Sequence, residues 1–334
     1  MIGRATGDAV LPPHHRERSE PSPYHPITAT AGSNHLRFHV LLLPNIGWEE
    51  LRARALRLEE LGIEVAALAD HVVDWANPTT PWFETWTVLP ALAEATRTIR
   101  LSTVVSQIPL RNPAMLTRQV FTLDHISNGR IELGLGTGLT TDPASAMIGV
   151  PNWEAAERVE RFGEYVELIG RLFSDEVITY EGRYYRVDGA PRHQSVQRPH
   201  PPILVAALGP RMMRLAAQHA DIWNSLSFLP TFDEQLAETR ARCEAIDAAC
   251  DAIGREPSTL RRSYTMFDAQ ARSRGGAIGY YESREQFIDQ VSRLAEVGIS
   301  DVGLYYPLDP AQVDAFETIA AEVLPDLRSA YPSR

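Results

Sequence analysis

Two patterns of apolar and polar residues alternate along the chain after residue 34. Short apolar runs bounded by turn residues read as parallel strands buried on both faces. Longer stretches with apolar positions three and four apart read as amphipathic helices. The strands are expected at His35–Leu43, Ile63–Ala69, Ile99–Val105, Arg130–Leu135, Ile203–Leu208, Ala220–Leu226, Leu260–Phe267 and Asp301–Tyr306. The helices are expected at Trp48–Glu60, Trp82–Thr96, Pro113–Ile126, Ala155–Phe173, Arg211–Gln218, Phe232–Ile253, Arg284–Val297 and Pro310–Leu327. Gly62 stops the first helix. Asn112 before Pro113 supplies an N-cap for the third.

Eight βα units in about 295 residues predict an α/β chain folded as one (β/α)8 TIM barrel over residues 35–330. An open doubly wound sheet is the alternative, but it would not need eight units in unbroken alternation. Residues 1–34 lack periodicity and carry Pro12, Pro13, Pro21, Pro23 and Pro26, so they read as a mobile arm. His14, His15 and His25 in that arm read as a solvated tail rather than a metal site. Three insertions interrupt the alternation, at 140–152, 177–202 and 268–282. The middle one reads as a hairpin turning at Glu181-Gly182 and a Pro-rich return. The other two leave the C-terminal ends of strands, where barrel active sites form. Loops of this length are usually functional or disordered.

Charge and composition narrow the chemistry. The net charge is -11, which argues against nucleic acid or an anionic membrane as a partner. The sequence contains no lysine, so no lysine Schiff base and no lysine-dependent phosphate loop operates here. An anionic ligand would rely on local arginines or helix N-termini. Cys243 and Cys250 fall on one helix face about 10 Å apart along the axis, beyond the roughly 7 Å Cα limit of a disulfide. They read as buried thiols of a reducing cytoplasm. No apolar run is long enough to span a membrane and no signal peptide is evident, so a cytoplasmic protein is expected. No cluster of His, Cys, Asp or Glu has convincing metal-ligand spacing.

Several short motifs fall at expected strand ends. Gly134-Leu135-Gly136-Thr137-Gly138 ends the fourth strand. Its glycines allow backbone to approach a flat ligand, or else make a tight strand exit. It lacks the third glycine and the later acidic residue of a Rossmann fingerprint. Asp70-His71 ends the second strand. His71 there is either a proton carrier near neutral pH or a structural histidine paired to a neighbour. Gly209-Pro210-Arg211 opens the helix after the fifth strand, where free N–H groups attract anions; simple helix initiation is the other reading. The tryptophans are Trp48, Trp75, Trp82, Trp86, Trp153 and Trp223, several of them just past strands. Val104-Val105-Ser106 precedes Arg111-Asn112-Pro113 at the end of the third strand.

In this order, the pieces resemble the luciferase-like monooxygenase family over roughly Phe38 to Tyr306. The resemblance is carried by Leu61-Gly62-Ile63 with Asp70-His71, by Thr96 to Arg118, by Leu123-Asp124 with Ser127-Asn128-Gly129-Arg130 leading into Gly134–Gly138, and by Arg198 to Asn224. Members that use FMN often carry a Ser-containing Gly-Arg phosphate segment after strand five. Members that use the deazaflavin coenzyme F420 tend to show Ala-Ala-x-Gly-Pro, and this chain reads Ala206-Ala207-Leu208-Gly209-Pro210.

The resemblance therefore implies an F420-dependent oxidoreductase passing a hydride to or from a small organic substrate. It implies that His71 is the catalytic acid/base. Asp70 would contact the ring region, and Val104-Val105 would form a non-prolyl cis bulge behind it, next to Ser106. Gly136, Thr137 and Gly138 would line the cofactor. Ala207, Gly209, Pro210 and Arg211 would lie at its phosphate site, with Arg111 and Arg211 offsetting its negative tail. A homodimer is implied by family habit. The alternatives are an FMN-dependent monooxygenase served by a partner flavin reductase, and a non-catalytic flavin-binding barrel. Deazaflavin sugar-phosphate dehydrogenases carry a Glu directly after the Gly-Thr-Gly, where this chain has Leu139. That departure and the missing lysines argue against glucose 6-phosphate as substrate.

Overall fold

The structure, a computed structural model, describes residues 35–332 apart from 75, 175–176, 192–193 and 275. The arm expected over 1–34, and Trp75, lie outside the described residues.

Eight parallel strands close a barrel. They are β1 (Arg37–Leu42), β2 (Val65–Asp70), β3 (Arg100–Gln107), β4 (Ile131–Gly136), then, after a hairpin of β5 (Val177–Glu181) and β6 (Arg186–Pro191), β7 (Ile203–Ala206), β8 (Ile222–Ser225), β9 (Arg261–Thr265) and β10 (Asp301–Tyr305). Each barrel strand pairs with the next, and β10 pairs with β1 from Arg37↔Asp301 to Leu41↔Tyr305. That last pairing rules out the open sheet. The antiparallel hairpin stands outside the barrel.

Burial on both faces explains why the strands read as unbroken apolar runs: every residue of β1, β2, β4 and β10 is buried. Local signals set several helix ends. Asn112 Oδ1 accepts from the Ala114 and Met115 amides at 2.9 and 3.3 Å and starts the helix Pro113–Ile126. Thr231 and Glu234 cap Phe232–Asp251 reciprocally. The helix expected from Trp82 begins instead at Thr85, because the Glu84 carboxylate accepts from the Trp86 and Thr87 amides. The closing helix is not continuous. It passes through a π turn at Ile319–Val323 before Leu324–Ala330. Pro325, lacking an N–H and crowding the preceding turn, accounts for the break.

The N-terminal end of the barrel is filled by a buried ion cluster. Arg37 donates to both Glu132 oxygens at 2.8 and 3.0 Å and to Asp301 at 2.8 Å. Arg100 reaches Glu132 at 2.6 Å, and His39 Nδ1 lies 2.9 Å from Asp301. Burial opposes the charge on Glu132, but Arg37 and Arg100 prevail and hold its carboxyl at about 2. The family motif Ser127-Asn128-Gly129-Arg130 also has a structural role. Asn128 and Gly129 take positive φ, and the Arg130 guanidinium donates to the carbonyls of Ala93, Thr96 and Ile99. Asp124 accepts from the amides of Val196 and Gln197, tying down the return from the hairpin. Cys243 and Cys250 are buried free thiols, as their spacing implies, and burial pushes Cys243 up to about 11.

Candidate functional site

A cavity of about 350 Å³ opens at the C-terminal ends of the strands, the face where barrel enzymes place their chemistry. His71, Val104, Val105, Gly136, Thr137, Gly138 and Gly209 all line it. The peptide bond between Val104 and Val105 is cis.

The glycines at the end of β4 and just past it answer to β3 more than to open space. A Cβ on Gly136 would sit 2.5 Å from Val105 Cγ2, and one on Gly134 only 1.8 Å from the Thr103 carbonyl oxygen. Gly138 has φ +73°, and a Cβ there would meet Gln107 Oε1 at 2.5 Å. The strand exit is then clamped by buried Arg158. It donates to the carbonyls of Trp153, Thr137 and Leu139 at 2.7, 2.9 and 3.4 Å, and to Asn152 Oδ1.

His71 is held on one side only. Its Nδ1 lies 3.1 Å from Asp142 Oδ2 and 2.9 Å from Gln107 Nε2. Gln107 Nε2 also reaches Asp142 Oδ2 at 3.0 Å and the Asp70 carbonyl at 3.2 Å. The amide has two hydrogens, and the acceptors Asp142 and Asp70 take both. The proton between His71 and Asp142 therefore belongs on Nδ1, which leaves Nε2 with its lone pair. Burial disfavours charge on Asp142, but hydrogen bonds from His71, the Ala144 amide and Gln107 outweigh it and hold the carboxyl at about 2. Trp82 stands edge-on to the imidazole at 5.8 Å and also lines the cavity.

The remaining expected residues do not line the cavity. Asp70 is almost fully buried, and its carboxylate accepts from Arg111 Nε and Nη2, each at 2.8 Å. Arg111 also pairs with Glu84, so its charge is already matched and is not directed at a cofactor tail. Ser106 accepts from the Trp86 indole at 2.9 Å, and the Ala207 carbonyl from the Trp223 indole at 2.8 Å. Pro210 opens the helix Pro210–His219, whose N-cap Gly209 supplies no side-chain cap. Arg211 beside it is exposed, with a 3.4 Å bond to the Ala156 carbonyl.

Sequence reasoning missed Gln107, Asp142, Arg158 and Arg272. For Asp142 a signal existed: an Asp-Pro step opening a short helix inside a loop already marked as functional. Gln107 had none, because register shifts in β3 between Ser102 and Ser106 break the inward–outward parity.

A family model described as luciferase-like monooxygenase matches residues 19–307. The chain belongs to the luciferase-like monooxygenase family. It is 28% identical over 323 residues to an F420-dependent glucose-6-phosphate dehydrogenase of Intrasporangium calvum, covering 84% of this chain and 96% of that relative. It is 30% identical over 220 residues to an F420-dependent hydroxymycolic acid dehydrogenase of Mycobacterium tuberculosis, covering 66% of this chain and 58% of the relative. Among solved structures, a coenzyme F420-dependent tetrahydromethanopterin reductase from Methanopyrus kandleri superposes with a TM-score of 0.70 at 19% identity, over 88% of this chain and 99% of the other. That likeness shows a shared (β/α)8 barrel fold.

Proposed function

We propose that this family member is a coenzyme F420-dependent oxidoreductase that moves a hydride between the deazaflavin and a small organic substrate. The observation that carries the reading is His71, oriented by Asp142, which Gln107 supports, on the wall of a cavity lined by Val104, Val105 and Gly136. The relative from Intrasporangium, aligned over nearly its whole length, supports the choice of cofactor.

The residues present fit such a group. Val104 and Val105 offer an apolar wall to a flat ring, and the backbone of Gly136, Thr137 and Gly138 would lie along it. The uncapped helix N-terminus at Gly209 would face a phosphate, with Arg211 adding positive charge. When bound, the deazaflavin supplies a two-electron hydride acceptor or donor. The chain's own part is proton transfer. His71 Nε2 takes the substrate hydroxyl proton in one direction and returns it in the other. Asp142 holds the Nδ1 proton and stabilises the imidazolium that forms. The apolar wall excludes water. A homodimer belongs to the same reading and is checked by size-exclusion with light scattering.

Fluorescence titration of the purified protein with F420 and, in parallel, with FMN tests the proposal. Micromolar binding of F420 alone supports it. Preference for FMN moves the reading to an oxygenase served by a flavin reductase, and binding of neither to a barrel without cofactor.

A further inference from the structure

The cavity is poor in charge. Among the described residues that line it, the one guanidinium is Arg272. Arg272 Nη2 donates to Asp74 Oδ1 at 2.8 Å, and both side chains are buried. Asn45 adds a 3.1 Å bond to the other Asp74 oxygen. Burial works against the Asp74 charge, but Arg272 holds the carboxyl below its ordinary value. This cation is thus compensated within the wall. Arg111 is taken by Asp70 and Glu84, and Arg158 by backbone carbonyls.

The rest of the wall is largely apolar, with Leu41, Leu208, Met212, Leu226 and Tyr305 facing inward. At the mouth, Leu139 and Phe228 line the cavity while remaining 59% and 57% exposed, a surface that gains from being covered. His71 supplies a hydrogen-bonding nitrogen on this wall. Its Nε2 lone pair suits an alcohol hydroxyl, and its protonated form would donate to a carbonyl oxygen. An anion drawn into this space would be desolvated against a guanidinium already matched.

We infer that the substrate is an uncharged, largely apolar alcohol or carbonyl compound, and that carboxylates and sugar phosphates are excluded. The inference rests on the oxidoreductase reading above. Oxidation of such an alcohol would break its C–H and O–H bonds and form a C=O bond: a bound oxidised deazaflavin would supply the acceptor for the hydride and its two electrons, and His71 Nε2 would take the hydroxyl proton.

The test begins with F420 binding, read from the cofactor's own fluorescence. The F420-saturated protein is then titrated with cyclohexanone, cyclohexanecarboxylate and glucose 6-phosphate. Tryptophan fluorescence and thermal shift report binding independently of turnover. The ketone is expected to bind at least about tenfold more tightly than the carboxylate, with glucose 6-phosphate giving no shift. Equal or tighter binding of either anion overturns the inference. In Asp74→Asn, which removes the carboxylate facing Arg272, the preference should narrow toward unity; an unchanged preference removes the Arg272–Asp74 pair as its cause and overturns the argument. If Asp74→Asn does not fold, the wild-type series decides alone. Failure of F420 to bind overturns the cofactor reading separately, and the same ligands on the free protein still decide the substrate class.

Discussion

Asp142 Oδ2 stands 3.1 Å from His71 Nδ1, across the mouth of the barrel between the loops that follow β2 and β4. The same loop carries Leu139, whose side chain lines the cavity. The carboxylate of this loop thus lies behind the imidazole. There it fixes a tautomer, while an apolar side chain occupies the cavity side.

Replacing Asp142 by Asn should therefore act through His71. Turnover is expected to fall by about tenfold or more, against about a hundredfold or more for His71→Ala. F420 binding should be unchanged in both. The pH for half-maximal turnover should move in Asp142→Asn and return in Asp142→Glu, which restores the charge. A uniform rate loss with an unmoved pH profile would show that Asp142 only holds its loop.

Gly134 is fixed by contact with β3, not by a ligand. In Gly134→Ala the new Cβ would meet the Thr103 carbonyl oxygen at 1.8 Å, and backbone cannot yield as a side chain can. The expected cost is about 1–3 kcal/mol or more, measured as a lowered urea midpoint. Gly209→Ala meets nothing within 4 Å and should leave the midpoint nearly unchanged, which makes it the matching control.

The barrel was legible because β1, β2, β4 and β10 are buried along their whole length, so apolar runs recur without alternation. Helix ends were legible where a residue punctuates the chain: Trp48–Glu60 and Pro113–Ile126 form with the expected bounds, the latter behind Asn112. They were not legible where a residue with another role intervenes, as at Glu84 and Pro325. His71 could be read from its place at a strand end. Its partner could not, since Asp142 reaches it across the barrel rim from the loop after β4, supported by Gln107 of β3, and Asp70 turns its carboxylate toward Arg111. The sequence marks where chemistry can sit, but pairing among charged residues decides which charges face the cavity.

Acid should weaken the barrel through its lower end. The Glu132 carboxyl lies below its ordinary 4.5, at about 2, and Asp301 is depressed as well, burial being outweighed by Arg37. Groups lowered in this way stabilise the fold above their unfolded values, and the contribution is lost as pH falls toward the folded ones. Stability should therefore decline between about pH 4.5 and 2. Glu132→Gln leaves Arg37 and Arg100 facing a neutral amide and should cost about 3–5 kcal/mol at neutral pH. The gap from wild type should shrink as pH approaches 2. Chemical denaturation across that range measures both, and a gap independent of pH would remove the ion cluster as its source.

Arg158 joins stability to binding. Its planar guanidinium spans the carbonyls of Thr137, Leu139 and Trp153 and the Asn152 side chain, which a lysine ammonium cannot reproduce. Arg158→Lys and Arg158→Met should both loosen the exit from β4, each lowering stability by about 1–3 kcal/mol. Because Thr137 and Gly138 line the cavity, F420 affinity should fall by about tenfold in both variants, roughly 1.4 kcal/mol. Rescue of binding by lysine would mean that charge, rather than the planar fork, is what this position supplies. Loss of stability with unchanged F420 affinity would separate the strand exit from the cofactor and move the binding wall to the Val104–Val105 and Gly209 sides of the cavity.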